Sequence, residues 1–341
     1  MIKENISLNT YTAFRVGGPA RYFVEVTSVV ELREAVLFAK EKRKNIFALG
    51  EGSNILVSDD GIDDVVLQIK IKGIEEKKDT GDKKVFAWAG EEWDGFVKEV
   101  VQRRFYGLEN LSLIPGTVGA APVQNIGAYG KEVGEYIESV LVFDTETMEE
   151  KILSNAECLF SYRDSLFKKT EGKKYVVLGV TFILSESAPP SFEYKDLVEY
   201  FTKKAIDKPT PEEVRAAVIE IRTVKLPSVS LLGTAGSFFK NPIITKDAYD
   251  TLLVKYSGMP HYLVSDLEVK VPLAWIIDHV LGLKGYIKGN VGLYKKQPLA
   301  IVNFGNATAS EINNFAKEVE KKIFDATKII VEREVQCVGK F

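Results

Sequence analysis

The run IPGTVGAAPVQNIGAYG, residues 114–130, holds four glycines and three alanines and carries no charge before Lys131. It is too poor in bulky apolar side chains to fill a core alone, but its backbone N–H groups can approach a diphosphate unobstructed. A second small-residue loop, LGEGSNIL at 49–56, follows an apolar run at 45–49 that reads as a short buried strand. Two such loops suit a ligand with more than one phosphate. The obvious nucleotide signatures fail, however. Gly50, Gly52 and Ile55 do not complete G-x-G-x-x-G, and Gly130 with Lys131 lacks the upstream glycine and the following Ser or Thr of a P-loop. On composition alone, glycine-rich turns joining strands remain the competing reading.

Outward from these loops the pattern is mixed. Alternation over 20–26 predicts a strand, Val29, Leu32, Val36 and Ala39 share one helical face over 28–42, and 45–49 returns as a strand. A right-handed crossover in this βαβ unit would put LGEGSN at the carboxyl end of its second strand, where α/β sheets bind ligands. Residues 91–106 predict a helix with Trp93, Phe96, Val97 and Val100 inward and Gly107 as C-cap. Antiparallel strands are expected at 137–143, 151–153 and 175–184. Thr210, Pro211 and Glu213 supply an N-cap, an N1 proline and a capping-box glutamate for a helix running toward Arg222, with a domain boundary near 200–225. Helices at 272–281 and at 310–326, the latter capped by Thr308 with Glu311, precede a closing strand at 328–338.

At 341 residues the chain should fold as two or three domains. Forty-five basic against 48 acidic residues give a net charge of −3 without long single-sign blocks, which argues against a nucleic-acid partner and for small molecules. The start MIKENISLNTYTAF has no apolar signal region, and the most apolar stretch, 175–184, is far short of the roughly 20 residues of a membrane span. A soluble cytoplasmic protein is expected. Cys158 and Cys337 lack the spacing of a disulfide framework or zinc site, and His261 and His279 lack metal spacing, so no metal is expected and both thiols should be inert.

Seven segments in register resemble the UDP-N-acetylenolpyruvoylglucosamine reductase (UDP-N-acetylmuramate dehydrogenase) family: NTYTAFRVGGPA at 9–20, GEGSNIL, GLENLSLIPGTVGAAPVQNIGAYG, SYRDSLFK at 161–168, RTVKLP at 222–227, GSFFKNP at 236–242 and EREVQCVG at 332–339. The inserted FEYKDL with Tyr194 resembles the type I branch, in which a tyrosine-bearing loop closes over substrate. The resemblance implies an α+β protein with an FAD-binding fold of the vanillyl-alcohol-oxidase type, two α+β subdomains, and a C-terminal α+β substrate domain. It assigns residues 1–72 and 73–205 to the FAD-binding subdomains, 206–326 to the substrate domain and 327–341 to a C-terminal strand carrying a catalytic glutamate. Noncovalent FAD would contact Gly50, Glu51, Gly52, Ser53 and Asn54, then Pro115, Gly116, Thr117, Val118 and Gly119, with Gln124, Asn125 and Gly127 continuing along the cofactor. A monomer using NADPH as cosubstrate is implied.

The implied chemistry reduces FAD with NADPH and then delivers hydride to the enolpyruvyl ether of UDP-N-acetylglucosamine, giving UDP-N-acetylmuramate for peptidoglycan synthesis. The enolate-like intermediate needs a cation, a hydrogen-bond donor and a proton source. By resemblance these are Arg163, Glu334 and Ser237, although residue type alone fits a surface ion pair with Asp164, a solvated strand-edge charge and a turn serine. Strand alternation does not separate Glu334 from Glu332. Lys225, Asn241 and Gln297 match positions around substrate or its diphosphate, and Tyr129 and Tyr194 positions near the nucleotide-sugar. Arg222 is set aside, because a cation at a helix end beside the macrodipole accounts for it. One departure stands out: many relatives carry arginine two places after the final glutamate, where this chain has Gln336. A flavin-dependent sugar or alcohol oxidase, and a noncatalytic nucleotide-sugar binding protein, are the alternatives.

Overall fold

The computed structural model describes residues 1–77, 83–187, 189–229 and 231–341. Two compact units emerge: Met1–Asn5, Arg21–Glu51 and Asp63–Val224 form the first, and Ile6–Ala20, Gly52–Ile62 and Lys225–Phe341 the second.

In the first unit, Ser28 caps helix α1 (Val29–Lys42) by accepting a hydrogen bond from the Glu31 amide, and the helix buries Leu32, Ala35, Val36 and Ala39. It closes on Arg43 in the left-handed region, with the Lys44 amide donating to Ala39 O at 2.9 Å. The strand Ile46–Leu49 pairs in parallel with Ile62–Ile69, which lies between it and Pro19–Val26. The two strands of the expected βαβ unit therefore share a sheet without being neighbours.

A second sheet runs Glu149–Ser154, Ile137–Asp144, Tyr175–Leu184, Lys83–Trp88, Ile74–Lys77, antiparallel throughout. Tyr175–Leu184 is its central strand and is buried along most of its length, which explains its unbroken apolar sequence. Helix α2 (Trp93–Gln102) sets Phe96 against Phe182 at 4.9 Å between ring centroids. The helix ends well before Gly107. Arg104 takes a φ of 61° and the Phe105 amide reaches back to Val100 O at 2.8 Å, so an arginine holds the position expected of glycine. Gly107 serves packing instead: a Cβ there would lie 2.6 Å from the Tyr136 ring. Helix α3 (Lys195–Lys203) and helix α4 (Pro211–Lys225) follow, the latter with the expected capping box between Thr210 and Glu213.

The second unit gathers Phe14, Phe238, Ile276, Ile301, Ile312 and Phe315 into its own core. Its strands form two three-stranded sheets, Ile243–Thr245, Glu268–Lys270, Tyr262–Leu263 and Ile287–Lys288, Val291–Tyr294, Gln297–Asn303. After helix α5 (Lys246–Lys255), the helix expected at 272–281 is a short α-turn, α6 (Leu273–Trp275), that widens into a π-turn over Ile276–Val280, where His279 stacks on Trp275 at 4.8 Å. Helix α7 (Ala309–Thr327) has the expected Thr308–Glu311 capping box, and the Asp59 carboxylate accepts from the Ala309 and Ser310 amides at its positive end.

The closing stretch differs from a single strand: only Gln336–Val338 is one, parallel to Ile55–Val57. Upstream, Lys328 turns with a φ of 61° and residues 332–335 hydrogen-bond irregularly to 238–240, so local alternation is overridden by tertiary pairing. Cys158 is enclosed, and burial pushes its thiol up to about 12, while Cys337 is half-buried and its Sγ accepts from Arg333 at 3.3 Å.

Asp144 closes the hairpin between 137–144 and 149–154. Its buried carboxylate accepts from the Glu146 amide (2.9 Å), the Thr147 amide (3.2 Å) and Lys151 Nζ (2.7 Å), with Lys174 3.6 Å away. Burial works against the charge, but these donors outweigh it and hold the carboxyl down to about 2. A depressed folded-state pKa contributes stability above the unfolded value of roughly 3.9 that is lost as pH falls toward the folded one. Asp144→Asn should therefore cost about 1–3 kcal/mol at neutral pH. Chemical denaturation of both proteins at pH 7 and pH 3 should show the gap narrowing in acid, and a constant gap would refute the assignment.

Candidate active site

Within the first unit the two glycine-rich loops meet. A Cβ on Gly50 would come within 2.9 Å of Thr117 Oγ1 and 3.5 Å of Ala120 Cβ, and one on Gly119 within 2.5 Å of Ala89 Cβ. Gly116 adopts a φ of 128°, which side-chain-bearing residues avoid. The Val118 amide donates to Glu91 O (2.9 Å) and the Gly119 amide to Ala89 O (3.0 Å), fastening the loop ahead of α2. Smallness at these positions thus serves loop-to-loop contact in the first instance. Burial and the neighbouring Glu92 push the Glu51 carboxyl upward, against a pull from the Gly116 amide.

Asn125 joins this loop to SYRDSLFK. It is buried with a φ of 47°, its Nδ2 donates to Glu132 Oε2 (2.6 Å) and Ser161 O (3.0 Å), and its Oδ1 accepts from the Gly134 amide (2.8 Å). Glu132 in turn stands 3.7 Å from Arg163, whose Nη2 donates to Gly127 O at 2.5 Å. Arg163, Asn125 and Gly127 are therefore one bonded group. Gln124 is half-buried beside them in the chain. The Tyr129 ring meets Tyr194 edge to face at 5.4 Å, and burial pushes its phenol up to about 12. Asn110 Nδ2 donates both to Tyr129 O and to Ser191 O, at 3.0 Å each, tying the glycine run to the segment that carries Tyr194.

In the second unit, Ser237 bridges to Ala300, and the next residue, Phe238, donates to Leu299 O and accepts from the Glu334 amide, both at 2.8 Å. Asn54 Nδ2 donates to Glu334 O and the Gln336 amide to Asn54 O, both at 3.1 Å. Ser237, Glu334 and the Gly52–Asn54 loop are thus linked through shared backbone. Gly52 has a φ of 61° and a Cβ there would strike Tyr11 O at 2.0 Å. Glu332 is exposed, and its carboxylate accepts from Lys240 Nζ at 2.6 Å. Asn241 Oδ1 accepts from the Leu273 amide (2.9 Å), Gln297 begins the strand that faces Ser237, and Lys225 is exposed at the end of α4. Arg163 belongs to the first unit, Ser237 and Glu334 to the second.

Both glycine-rich loops lie within residues 20–147, which match the family described as FAD binding domain, so this is an FAD-binding protein. Residues 227–338 match the family described as UDP-N-acetylenolpyruvoylglucosamine reductase, C-terminal domain. The chain is 42% identical over 342 residues to the UDP-N-acetylenolpyruvoylglucosamine reductase of Flavobacterium johnsoniae, covering 99% of each. It is 40% identical over 334 residues to that of Pseudomonas savastanoi pv. phaseolicola, covering 98% of each. The crystal structure of UDP-N-acetylenolpyruvylglucosamine reductase from Thermus caldophilus superposes with a TM-score of 0.68 at 24% identity, over 99% of this chain and 100% of that one. This chain belongs to the UDP-N-acetylenolpyruvoylglucosamine reductase family. The expected α+β fold with an FAD-binding domain is borne out.

Sequence reading missed Asn110, Glu132 and the pair Arg215–Asp94, in which Arg215 Nη1 and Nη2 donate to the two carboxylate oxygens at 2.7 and 3.0 Å. One signal was available. Arg215 and Arg222 stand seven residues apart on α4 among Val214, Val218 and Ile221, an arrangement that puts two cations on an apolar face.

Asn125→Ala should remove three hydrogen bonds and place Ala in the left-handed region, costing about 2–4 kcal/mol. Urea denaturation checks this, and a change under about 0.5 kcal/mol would show the node to be dispensable.

Proposed function

We infer that this chain catalyses the FAD-dependent reduction of UDP-N-acetylglucosamine enolpyruvate to UDP-N-acetylmuramate with NADPH, in peptidoglycan precursor synthesis. The observation that carries this is full-length membership of the reductase family, with the FAD-binding and C-terminal domains matched in order. The residues fit the cofactor. Two glycine loops abut in the first unit, where Gly50 leaves no room for a Cβ beside Thr117 and Gly119 none beside Ala89, so their backbone stays bare. Gly50, Glu51, Gly52, Ser53 and Asn54, with Pro115–Gly119, would hold the diphosphate, and Gln124, Asn125 and Gly127 the remainder. Because the Val118 and Gly119 amides are spent internally, those two positions would contribute shape and not donors.

Bound FAD supplies two-electron transfer between NADPH and the enolpyruvyl double bond. The protein's part is to manage the negative charge that reaches the substrate carboxylate and to protonate the adjacent carbon. We assign the cation to Arg163, whose guanidinium is oriented by Gly127 O and stands 3.7 Å from Glu132. We assign the hydrogen-bond donor to Glu334 and the proton to Ser237. Support for Glu334 over Glu332 comes from burial, Glu332 being exposed and bonded to Lys240 while Glu334 is half-buried. Support for pairing Glu334 with Ser237 comes from Phe238, the residue after Ser237, whose carbonyl accepts from the Glu334 amide. Tyr129, Tyr194, Lys225, Asn241 and Gln297 would hold the nucleotide-sugar. Within this reading the enzyme is a cytoplasmic monomer acting on small molecules; no helix of the described residues is long and apolar enough to cross a membrane.

Purified protein with FAD should show flavin colour, lose it anaerobically to NADPH and regain it on addition of the enolpyruvyl sugar; protein that stays colourless with FAD would overturn the reading. Ser237→Ala should keep the first half-reaction and slow the second by about 10²–10⁴-fold in stopped flow. Equal slowing of both halves would remove Ser237 from its role. Arg163→Lys should retain FAD yet lose turnover, since an ammonium does not reproduce the planar fork.

A further inference from the structure

Asn110 is anchored on both sides. It is the middle residue of a short 3₁₀ turn, Glu109–Leu111, in which Leu111 O accepts from Trp93 Nε1 at 2.8 Å, Ser112 Oγ donates to Glu109 O at 2.6 Å and Glu109 Oε2 accepts from the Gly107 amide at 2.7 Å. Its side chain is buried, and its Nδ2 commits both protons to carbonyls, Tyr129 O and Ser191 O, at 3.0 Å each. Its Oδ1 is enclosed without a hydrogen-bond partner. Chemistry still fixes the orientation: turned over, the amide would set its oxygen against two carbonyl oxygens with no donor among the three. A buried acceptor left unpaired is unfavourable, so the two donated bonds must offset it. Both lead to the tyrosines assigned above to the nucleotide-sugar. Tyr129 takes a φ of 49°, a conformation that side-chain-bearing residues avoid, and its carbonyl is one of the two that Asn110 holds. Ser191 lies three residues before Tyr194, the N-cap residue of α3, whose carbonyl accepts from the Leu197 and Val198 amides.

We propose that Asn110 is a positioning residue of the reductase, its single side-chain amide holding the Tyr194 segment in register with Tyr129 and so setting the affinity for the nucleotide-sugar. The geometry asks for one group that presents two protons, in one plane, to two carbonyls from separate segments. Asparagine meets that demand; an ionised Asp offers no proton, Ser offers one, and Gln is a methylene longer. The bonded register also has a visible product, since the Tyr194 ring meets the Tyr129 ring edge to face at 5.4 Å. Tyr129 and Phe192 pack in turn on the small core of Leu197, Phe201, Val214, Ala217 and Val218 between α3 and α4, so the two segments are supported from one side and tied by Asn110 from the other. Asn110 itself touches neither reacting atoms nor cofactor in this scheme. It acts through the two tyrosines, and the inference rests on the reductase reading.

The test compares wild-type holoenzyme with Asn110→Leu, which keeps the branched shape without donors, Asn110→Asp, and Asn110→Ser, which keeps one donor and carries the comparison if the larger changes do not fold. Three quantities are read: calorimetric affinity for the UDP-sugar enolpyruvate, FAD affinity of the apoprotein by fluorescence quenching, and the rate of flavin reduction at saturating NADPH. Asn110→Leu and Asn110→Asp should each raise the UDP-sugar Kd about tenfold, and Asn110→Ser less, while both flavin quantities stay within about twofold of wild type. The effect should also depend on Tyr194. In a Tyr194→Ala background, Asn110→Leu should change the UDP-sugar Kd by less than about threefold, whereas a residue that merely stabilises the fold would add its full effect in both backgrounds. The proposal fails if the UDP-sugar Kd of the Asn110 variants stays within about twofold of wild type, if the Asn110 and Tyr194 effects add, or if substrate affinity falls only together with FAD affinity and melting temperature. Wild type that binds neither FAD nor the UDP-sugar would instead sink the reductase reading itself.

Discussion

Thr117 lies so close to Gly50 that the space between them does not admit a single added carbon. On that contact rests the geometry of the first unit's glycine-rich loops. It brings the end of a strand from the open sheet against the glycine-rich run, and the amides of Val118 and Gly119 then lock that run to the backbone ahead of α2. Asn125 carries the same rigidity onward to Arg163 through Glu132, Ser161 and Gly134. The Arg163 guanidinium is thereby held by backbone contacts that leave little room to vary.

The arrangement gives the glycines two duties. Gly50, Gly52 and Gly119 are small because another part of the chain approaches each of them, and backbone left bare by small residues is also what an extended phosphate-bearing ligand needs. The run in isolation announces only the second duty, since the first depends on Ala89, Thr117 and Tyr11 arriving from elsewhere. Composition therefore could not decide between turn and cradle, and the choice came from seven motifs in register.

Where the signal was local, the sequence was legible. Ser28 before α1, the Thr210–Glu213 and Thr308–Glu311 boxes, and the unbroken apolar run Tyr175–Leu184 each carry their structural cause within a few residues. Failures came where distant groups decided. Arg104 ends α2 in a conformation usually left to glycine, Phe238 draws the chain near Glu334 out of strand pairing, and the turn at Ile276–Val280 widens inside a run that reads as plain helix. Glu332 and Glu334 share a face by alternation, yet Glu332 is exposed and bonded to Lys240 while Glu334 is half-buried. The pair Arg215–Asp94 escaped sequence reading because its two members come from different helices.

The contrast between the two cysteines has a practical side. With Cys158 sealed in the core and reluctant to ionise, thiol-directed reagents will meet Cys337 first. That sulfur stands three positions beyond Glu334, hydrogen-bonded to Arg333 and laddered against Leu56. The chain thus carries a native labelling handle in its C-terminal segment, and a fluorophore or spin label attached there needs no engineered residue to report on that segment's environment.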